Sequence, residues 1–417
     1  MTVMPTGPKV LSLTLFAPYS GIPHAGGEYV YRHYRYLAKI SSLHVFAPHS
    51  NDNADASRNV DDRQYKLSVF GCDDSKWFGI RGAWLLLVKF IRGVSLGLDV
   101  ERGARRCVEM NVAAKSAEVI EFQWTESASL SRYFRRIAPQ ARQTLIAHDV
   151  LSQRWRRRFK SEKSTAARIF YFGRYVFTVL AERRRFASVD TILVFSDKDA
   201  GLVRNLYRSA DVRVVSPPLM EDGMLEARSQ ASSKNSRCIL FTGAMSRPEN
   251  DEGIRWFADE IWRDVKAEIP DCRLVIAGAG PSPELLNFSE THHDVLVTGR
   301  VDDLAPFYRD ADVFISPMFN GAGVKFKNII AMLWGLPILS TAIGAEGIGS
   351  EDLYLAVTDD RNVFRETLLR ALRNRDIRHG VAAKAKAWAF ATYGDEQFAK
   401  QLQDIYLAPA GEGRSHS

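Results

Sequence analysis

Cysteine is scarce in this chain of 417 residues: Cys72, Cys107, Cys238 and Cys272 stand far apart, with no CxxC pair. That spacing argues against a disulfide framework or a structural zinc site and leaves four small core residues or free thiols. No metal ligand set is expected. Long apolar runs are missing too. The first, Val10 to Ala17, is too short and too poorly flanked for a signal peptide, and nothing later approaches a spanning helix. A cytoplasmic protein is expected, with peripheral association on the inner face of a membrane as a further option. No nucleic-acid recognition module is seen, so the arginine clusters alone do not make nucleic acid an expected partner. Acidic residues are short in the first half. Residues 1–220 hold 34 Lys and Arg against 20 Asp and Glu, whereas residues 221–417 hold 22 against 29. A strongly basic half joined to a mildly acidic one points to two domains with different partners. The basic half suits an anionic surface, such as lipid headgroups or a pyrophosphate-linked acceptor; a solvated basic face without a partner is the plain alternative.

What is present fits full cores: 46% of residues are hydrophobic and 25% charged. Lys9–Pro18 reads as a central parallel strand, and Gly26-Gly27 stands directly before the helical EYVYRHYRYLAK. Strand, glycine turn and helix open a Rossmann-like half, although a full GxGxxG is lacking. Leu43–Pro48 is the next strand and Asn51–Arg63 a polar loop. Residues 77–98 are apolar with scattered Arg81, Lys89 and Arg92; a packed core helix is expected, and an interfacial amphipathic segment is the alternative. Ala117–Trp124 and Gln143–Asp149 are buried strands that end in polar residues, Gln123, Trp124, Thr125 and Glu126 on one, His148 and Asp149 on the other. Carboxyl ends of parallel strands face the ligand crevice, so these are candidate acceptor-site residues. One long helix is expected over Leu151–Ala187, opening with the cluster Arg154–Lys160, either a solvated face or a contact for an anionic acceptor.

After two more strands, residues 219–236 are polar, small and without period, and read as a linker. Strand and helix patterns then alternate to the end of the chain, which indicates βαβ units and a second parallel sheet. Within it, Ala311–Pro317 is a buried strand, Asn320-Gly321-Ala322-Gly323 a tight turn, and a helix is expected to begin near Val324. A helix N-terminus behind such a turn, with Lys325 and Lys327 beside it, is a corner that holds phosphate or another anion. An ordinary βα loop is the alternative for a lone Gly-x-Gly.

Taken together, FTGAMSRPENDEGIRWF, RLVIAGAGP and VTGRVDDLAPFYRDADVFISPMFNGAGVKFKNIIAMLWGLPILSTAIGAEGI resemble the C-terminal domain of GT-B glycosyltransferases. The resemblance is to the large retaining superfamily (glycosyl transferases group 1) that includes bacterial cell-wall, capsule and exopolysaccharide enzymes. It covers nearly all of residues 238–349 in the right order, and more loosely the first half through GGEYVYRHYRYLA, AHD and VDTILVFSDKDAGLV. It implies an α/β chain of two doubly wound Rossmann-like domains facing across a cleft. Residues 1–218 would bind the acceptor and residues 237–392 a nucleotide-sugar. A C-terminal helix over 393–417 would pack back on the first domain before a frayed tail.

Roles follow from the resemblance by position. Asn320, Gly321, Ala322, Gly323 and Val324 would offer amides to the donor sugar and diphosphate, with Lys325 and Lys327 as the basic partners. Arg300 and Val301 match the segment that meets the nucleobase. Gly243 opens a loop near the diphosphate, and Gly26 and Gly27 face it from the other domain. His148 matches a strand-end histidine at the reaction centre; with Asp149 it forms the catalytic candidate pair, and Trp124 and Glu126 line the acceptor side. Transfer would be retaining, without a metal ion or cofactor, from a nucleotide-sugar to a glycan, lipid-linked or small-molecule acceptor. Two departures stand out. The family's paired glutamates fall at Ala322 and Ile330, and Ile330 cannot accept the ribose hydrogen bonds, a loss of roughly 1.5–3 kcal/mol per charge-assisted bond. The basic pair that often follows the first strand is also absent from GAMSRPENDEG, leaving either Arg247 as a substitute or Lys325 and Lys327 to carry its load. The alternative is therefore a GT-B protein with a degenerate donor site that serves as a binding or scaffold partner.

Overall fold

The computed structural model describes residues 7–19, 22, 25–57, 64–71, 80–221, 223–224 and 236–407. Most of the expected linker, residues 58–63 of the expected loop, Cys72 and the terminal GEGRSHS lie outside them. Two compact units divide the chain, residues 1–218 with 398–417, and residues 219–397.

Among the described residues, the first unit holds seven parallel strands. They are β1 (Lys9–Leu13), β2 (Ser42–Pro48), β3 (Lys66–Phe70), β4 (Val119–Gln123), β5 (Arg142–Ile146), β6 (Thr191–Val194) and β7 (Asp211–Val214), in the order β3-β2-β1-β4-β5-β6-β7. Helices cover both faces, so central strands are buried almost along their whole length, polar positions included, instead of alternating. β4 is buried at every position, Glu121 included. A buried carboxylate needs donors on its lone pairs, and Glu121 has four. Ser12 Oγ (2.7 Å), Gln123 Nε2 (2.9 Å) and His33 Nε2 (2.8 Å) meet it, together with the Tyr406 hydroxyl. Burial alone would raise its pKa, but His33 and these bonds outweigh that and hold it below the ordinary range. Tyr406 reaches it from helix Asp395–Tyr406, whose Phe398 packs on His33 and Tyr36. Arg142 Nη2 donates to Ile405 O at 2.6 Å on the same helix.

The second unit repeats the plan with β8 (Cys238–Thr242), β9 (Arg273–Ala277), β10 (Val295–Val297), β11 (Val313–Ser316), β12 (Ile338–Ser340) and β13 (Ala356–Val357), all parallel, in the order β10-β9-β8-β11-β12-β13. Phe241, Phe257, Trp262, Ile315 and Phe364 fill its core. Helix starts are fixed locally. Asp360 Oδ1 accepts from Asn362 N and Val363 N, and Asn374 Oδ1 from Asp376 N and Ile377 N, which satisfies first-turn amides that the helix itself leaves unpaired. Cys238 and Cys272 are buried and Cys107 is half-buried, all three free thiols. Burial pushes the Cys238 and Cys272 thiols up to about 11 and about 12.

Four expectations need correction. Residues 51–57 form a helix, Asn51–Ser57, and not a loop. Ser50 Oγ caps it, and buried Asn53 joins Ala17 N, Leu15 O and Pro48 O through its side-chain amide, so tertiary hydrogen bonds outweigh the polar sequence. The long helix is two, Leu151–Ser161 and Thr165–Phe186. Glu162 Oε1 accepts from Lys163 N and Ser164 N, both at 2.9 Å, and turns the chain between them. The helix expected from Val324 starts at Phe326, after a non-helical Lys325 with φ −90° and ψ 86°. Helix Ile80–Arg92 is not a core helix, since Trp84, Leu86, Leu87 and Ile91 are exposed. β3 and the helices Leu98–Arg106, Val108–Ser116 and Ser131–Ile137 were not expected at all.

Candidate functional site

Both sheets reverse their strand order once, between β1 and β4 and between β8 and β11. Chains leaving the carboxyl ends of those strand pairs diverge to opposite faces and open a crevice, the usual ligand position in doubly wound folds. Each unit therefore presents one crevice of its own.

In the first unit β4 ends at Gln123 and the next residue, Trp124, adopts φ 66°, a left-handed value that a bulky side chain seldom takes. This turn lays the indole flat on the His148 imidazole, with centroids 4.3 Å apart and planes 16° from parallel. Tyr29 and Phe195 meet the same imidazole edge-on at 5.3 Å each. His148 Nε2 lies 3.1 Å from Gln123 Oε1, while Gln123 Nε2 donates to Glu121 Oε1 at 2.9 Å. Ionised Glu121 only accepts, so it fixes the Gln123 amide; the amide oxygen in turn assigns the proton of His148 to Nε2. Nδ1 then has the acceptor lone pair. A Cβ added at Gly26 would come within 3.5 Å of it and within 3.3 Å of the Trp124 ring. Gly26 and Gly27 open helix Ala25–Ile40, so the imidazole sits beside a helix N-terminus.

Two carboxyls beside this cluster hold their protons unusually well. Burial pushes Glu126 up to about 7, and the charge of Asp149 adds to it, against its own backbone hydrogen bond and Arg154. Glu182, fully buried on helix Thr165–Phe186, rises to about 8 by burial, although Ser152 N reaches both its oxygens at 3.3 Å. Asp149 Oδ2 lies 3.8 Å from Arg154 Nη2. A carboxyl with a raised pKa, an oriented imidazole and the Asp149 side chain thus share one strand-end crevice.

In the second unit the turn after β11 uses Gly321 at φ 112° and Gly323 at φ 69°, values costly for any side chain. Lys325 Nζ closes the turn on Gly323 O (2.6 Å) and Ala322 O (3.3 Å). Helix Pro248–Phe257, which follows β8, packs against it backbone to backbone: a Cβ on Gly253 would stand 2.1 Å from Pro317 O. Asn250 links the two lips of the crevice. Its Nδ2 donates to Ala244 O and its Oδ1 accepts from Lys327 Nζ, both at 2.8 Å. Lys327 Nζ also lies 4.0 Å over the Phe241 ring and 3.3 Å from Met318 Sδ. None of these partners is anionic. Burial drives the lysine pKa well below its usual value, and the charges of Lys325 and Arg247 push the same way against Glu249. An anion brought here would relieve both effects. Asn320 Nδ2 donates to Glu252 Oε2 at 3.0 Å, and its buried Oδ1 has no donor among the described residues.

The structure thus gathers Gly26, Trp124 and His148 into one cluster with Glu126 and Asp149 beside it, and Gly27 buried in the adjoining helix turn. It gathers Gly243, Arg247, Asn320 to Lys325 and Lys327 into the other, where Gly243 touches Asn250. Ile330 is half-buried in helix Phe326–Leu333. Exposed Arg300 and half-buried Val301 follow β10, which is separated from β8 by β9. Sequence reasoning missed Gln123 and Glu121 as the support of His148, Glu182, and the face of Glu249, Asn250 and Glu252. In the sequence PENDEG looks like an ordinary acidic first turn, and Glu182 looks like part of a charged helix face. Among the described residues, no group of three or more His, Cys, Asp or Glu is placed to hold a metal ion, and no helix is long and apolar enough to cross a membrane.

Comparison with known proteins shows what the chain is similar to. Residues 236–374 match the family described as Glycosyl transferases group 1. A 44.6 kDa protein in the cps region of Klebsiella pneumoniae is 34% identical over 144 residues, 33% of this chain and 37% of that protein. The match spans little more than a third of that relative's length. Among solved structures, Anabaena Alr3699/HepE in complex with UDP-glucose superposes with a TM-score of 0.65 at 13% identity, covering 96% of this chain and all of that one. WaaG, a glycosyltransferase involved in lipopolysaccharide biosynthesis, gives 0.62 at 13% identity with 96% and 100% coverage.

Proposed function

From a C-terminal unit that belongs to the glycosyl transferases group 1 family and a chain with the GT-B fold throughout, we propose a glycosyltransferase that moves a sugar from a nucleotide-sugar onto a glycan, lipid-linked or small-molecule acceptor. The observation that carries this reading is the half-buried Lys327, held between Asn250 and the Phe241 ring with no anionic hydrogen-bond partner among the described residues, at the switch point of the second sheet. A diphosphate is a ligand that suits such a corner. Its charge would be met by Lys327, Lys325, Arg247 and the start of helix Phe326–Leu333, a preorganised set that stabilises a departing nucleoside diphosphate. That set supports metal-independent transfer without a bound cofactor. Arg300 and Val301 follow β10 in the same sheet, and by the resemblance they are the residues we assign to the nucleobase. Asn320 Oδ1 offers an acceptor to a sugar hydroxyl.

In the first unit, the oriented imidazole of His148 and the protonatable Glu126 suit an acceptor hydroxyl. Retention by attack on the leaving-group face is the reading we favour, as the resemblance to the retaining superfamily implies. UDP-glucose in the HepE complex makes a UDP-sugar the first donor to test, and the cps-region relative favours an acceptor in surface polysaccharide assembly. Ile330 favours a second reading, a site that binds its donor weakly and serves as a partner protein. Calorimetry against UDP-, GDP- and dTDP-sugars separates the two. The transferase reading expects saturable binding of one of them, and heat from none of the three would overturn it.

A further inference from the structure

Beyond the transfer reaction, we propose that the exposed face formed by helices Ile80–Arg92 and Thr165–Phe186, with the arginine-rich helix Leu151–Ser161 beside it, docks on an anionic lipid bilayer. On the first helix Trp84, Leu87 and Ile91 recur at i, i+3 and i+7, and Leu86 next to them is 70% exposed. On the second, Ile169 is 69% exposed, with Phe170 and Phe172 following. The helix buries Thr178, Ala181, Glu182 and Phe186, all in its C-terminal half, so that half is anchored and the N-terminal half leaves the core. The three helices still form one body. Phe90 meets Phe170 and Phe177 at 5.4 and 5.5 Å, Phe159 meets Phe172 at 5.3 Å, and Trp155 stacks on Tyr171. The Arg174 guanidinium lies 4.8 Å from the Trp155 ring and 5.6 Å from that of Phe90.

Seven large exposed apolar side chains gather on two helices that pack together through Phe90, Phe170 and Phe177, a density unlike the single scattered residues common on monomers. Charge decides its occupant. Residues 151–175 contain eight Lys and Arg against one acid, Glu162, and residues 80–92 contain three basic residues and no acid. An apolar face rimmed by arginine, with half-buried tryptophan and tyrosine at its border, matches the interface between acyl chains and anionic headgroups. No helix among the described residues can cross a bilayer, so the surface lies on the membrane and does not span it. Helix Leu151–Ser161 begins two residues after Asp149 and is about 16 Å long. Docking would therefore hold the His148 crevice within reach of a lipid-linked acceptor.

The test is co-sedimentation of the full chain with vesicles of phosphatidylcholine alone or mixed with phosphatidylglycerol, at low and high salt. It needs no sugar donor, so it fails or succeeds independently of the transferase reading. Binding to the mixed vesicles only, weakened by salt, is expected. Arg156→Glu with Lys160→Glu should weaken it at least about 25-fold, from about fivefold for each basic side chain removed. Leu86→Ser with Ile169→Ser and Phe172→Ser should weaken it at least about tenfold with an unchanged circular dichroism spectrum. If that triple variant does not fold, the charge variant still decides. The proposal is overturned if mixed vesicles do not pellet the chain, if neutral vesicles pellet it equally, or if the variants bind like the parent. A stable dimer that the triple variant abolishes would also overturn it, by assigning the face to a second copy.

Discussion

Lys327→Met is the substitution that best separates function from folding at the proposed donor site. Methionine keeps the unbranched stem, so helix Phe326–Leu333 and its packing are preserved, and only the ammonium is lost. Losing it removes a charge-assisted hydrogen bond to Asn250 Oδ1 at 2.8 Å and a cation–π contact at 4.0 Å over Phe241. Those are worth about 1.5–3 and about 0.5–2 kcal/mol. Against them stands the cost of holding an ion away from water, several kcal/mol in real proteins, and repulsion from Lys325 and Arg247. The terms nearly cancel, so the free protein should change by no more than about 1 kcal/mol, or about 2–4 °C in Tm for a unit of this size. With UDP bound the balance shifts to one side. The diphosphate loses a charge-assisted partner worth about 1.5–3 kcal/mol, which weakens UDP roughly 10- to 150-fold. Titration calorimetry and a thermal melt on the same preparations give both numbers. UDP affinity within twofold of the parent, or a Tm fallen by 10 °C or more (about 3 kcal/mol), would show that Lys327 is a core residue and refute the reasoning.

Ile330→Glu should tighten UDP at least about tenfold if the helix face meets the ribose, since it restores a charge-assisted acceptor; calorimetry showing weaker or unchanged binding would move the ribose elsewhere. His148→Ala should abolish transfer in a coupled nucleotide-release assay while donor affinity stays within about twofold, because His148 and the donor loop belong to different units. Glu182 has a folded pKa of about 8 against an ordinary 4.5, so the folded state binds the extra proton and stability falls as pH rises through that window. Glu182→Gln should flatten the dependence of Tm on pH across that span and gain on the parent most at its alkaline end; parallel curves would deny the shift. Tyr406→Phe leaves Glu121 with three donors and should cost about 1.5–3 kcal/mol by chemical denaturation. Glu121 is held below 4.5, so its stabilisation is present above that pH and lost as pH falls through the folded value. The variant should begin to lose stability at a higher pH than the parent.

The sequence by itself determined the two parallel sheets, because many buried βαβ strands announce themselves as apolar runs such as Ile239–Phe241 and Val313–Ile315. It also located the glycine turn at Asn320–Gly323 and the strand-end His148, since both stand at fixed distances from those runs. Only the tertiary structure decided how these groups are held. The tautomer of His148 depends on Gln123 and Glu121, which look like buried strand residues until Ser12, His33 and Tyr406 converge on them from three other elements. Asn250 joins the two lips of the donor crevice across 77 positions of chain, and no local pattern encodes a contact of that span. Asn51–Ser57 looked like a loop because its propensity is poor, and the buried amide of Asn53 makes it a helix. Residues 77–98 were apolar enough for a core, yet Trp84, Leu86, Leu87 and Ile91 face outward. Hydrophobicity records that a side chain avoids water, and the packed fold alone determines whether protein or something else covers it.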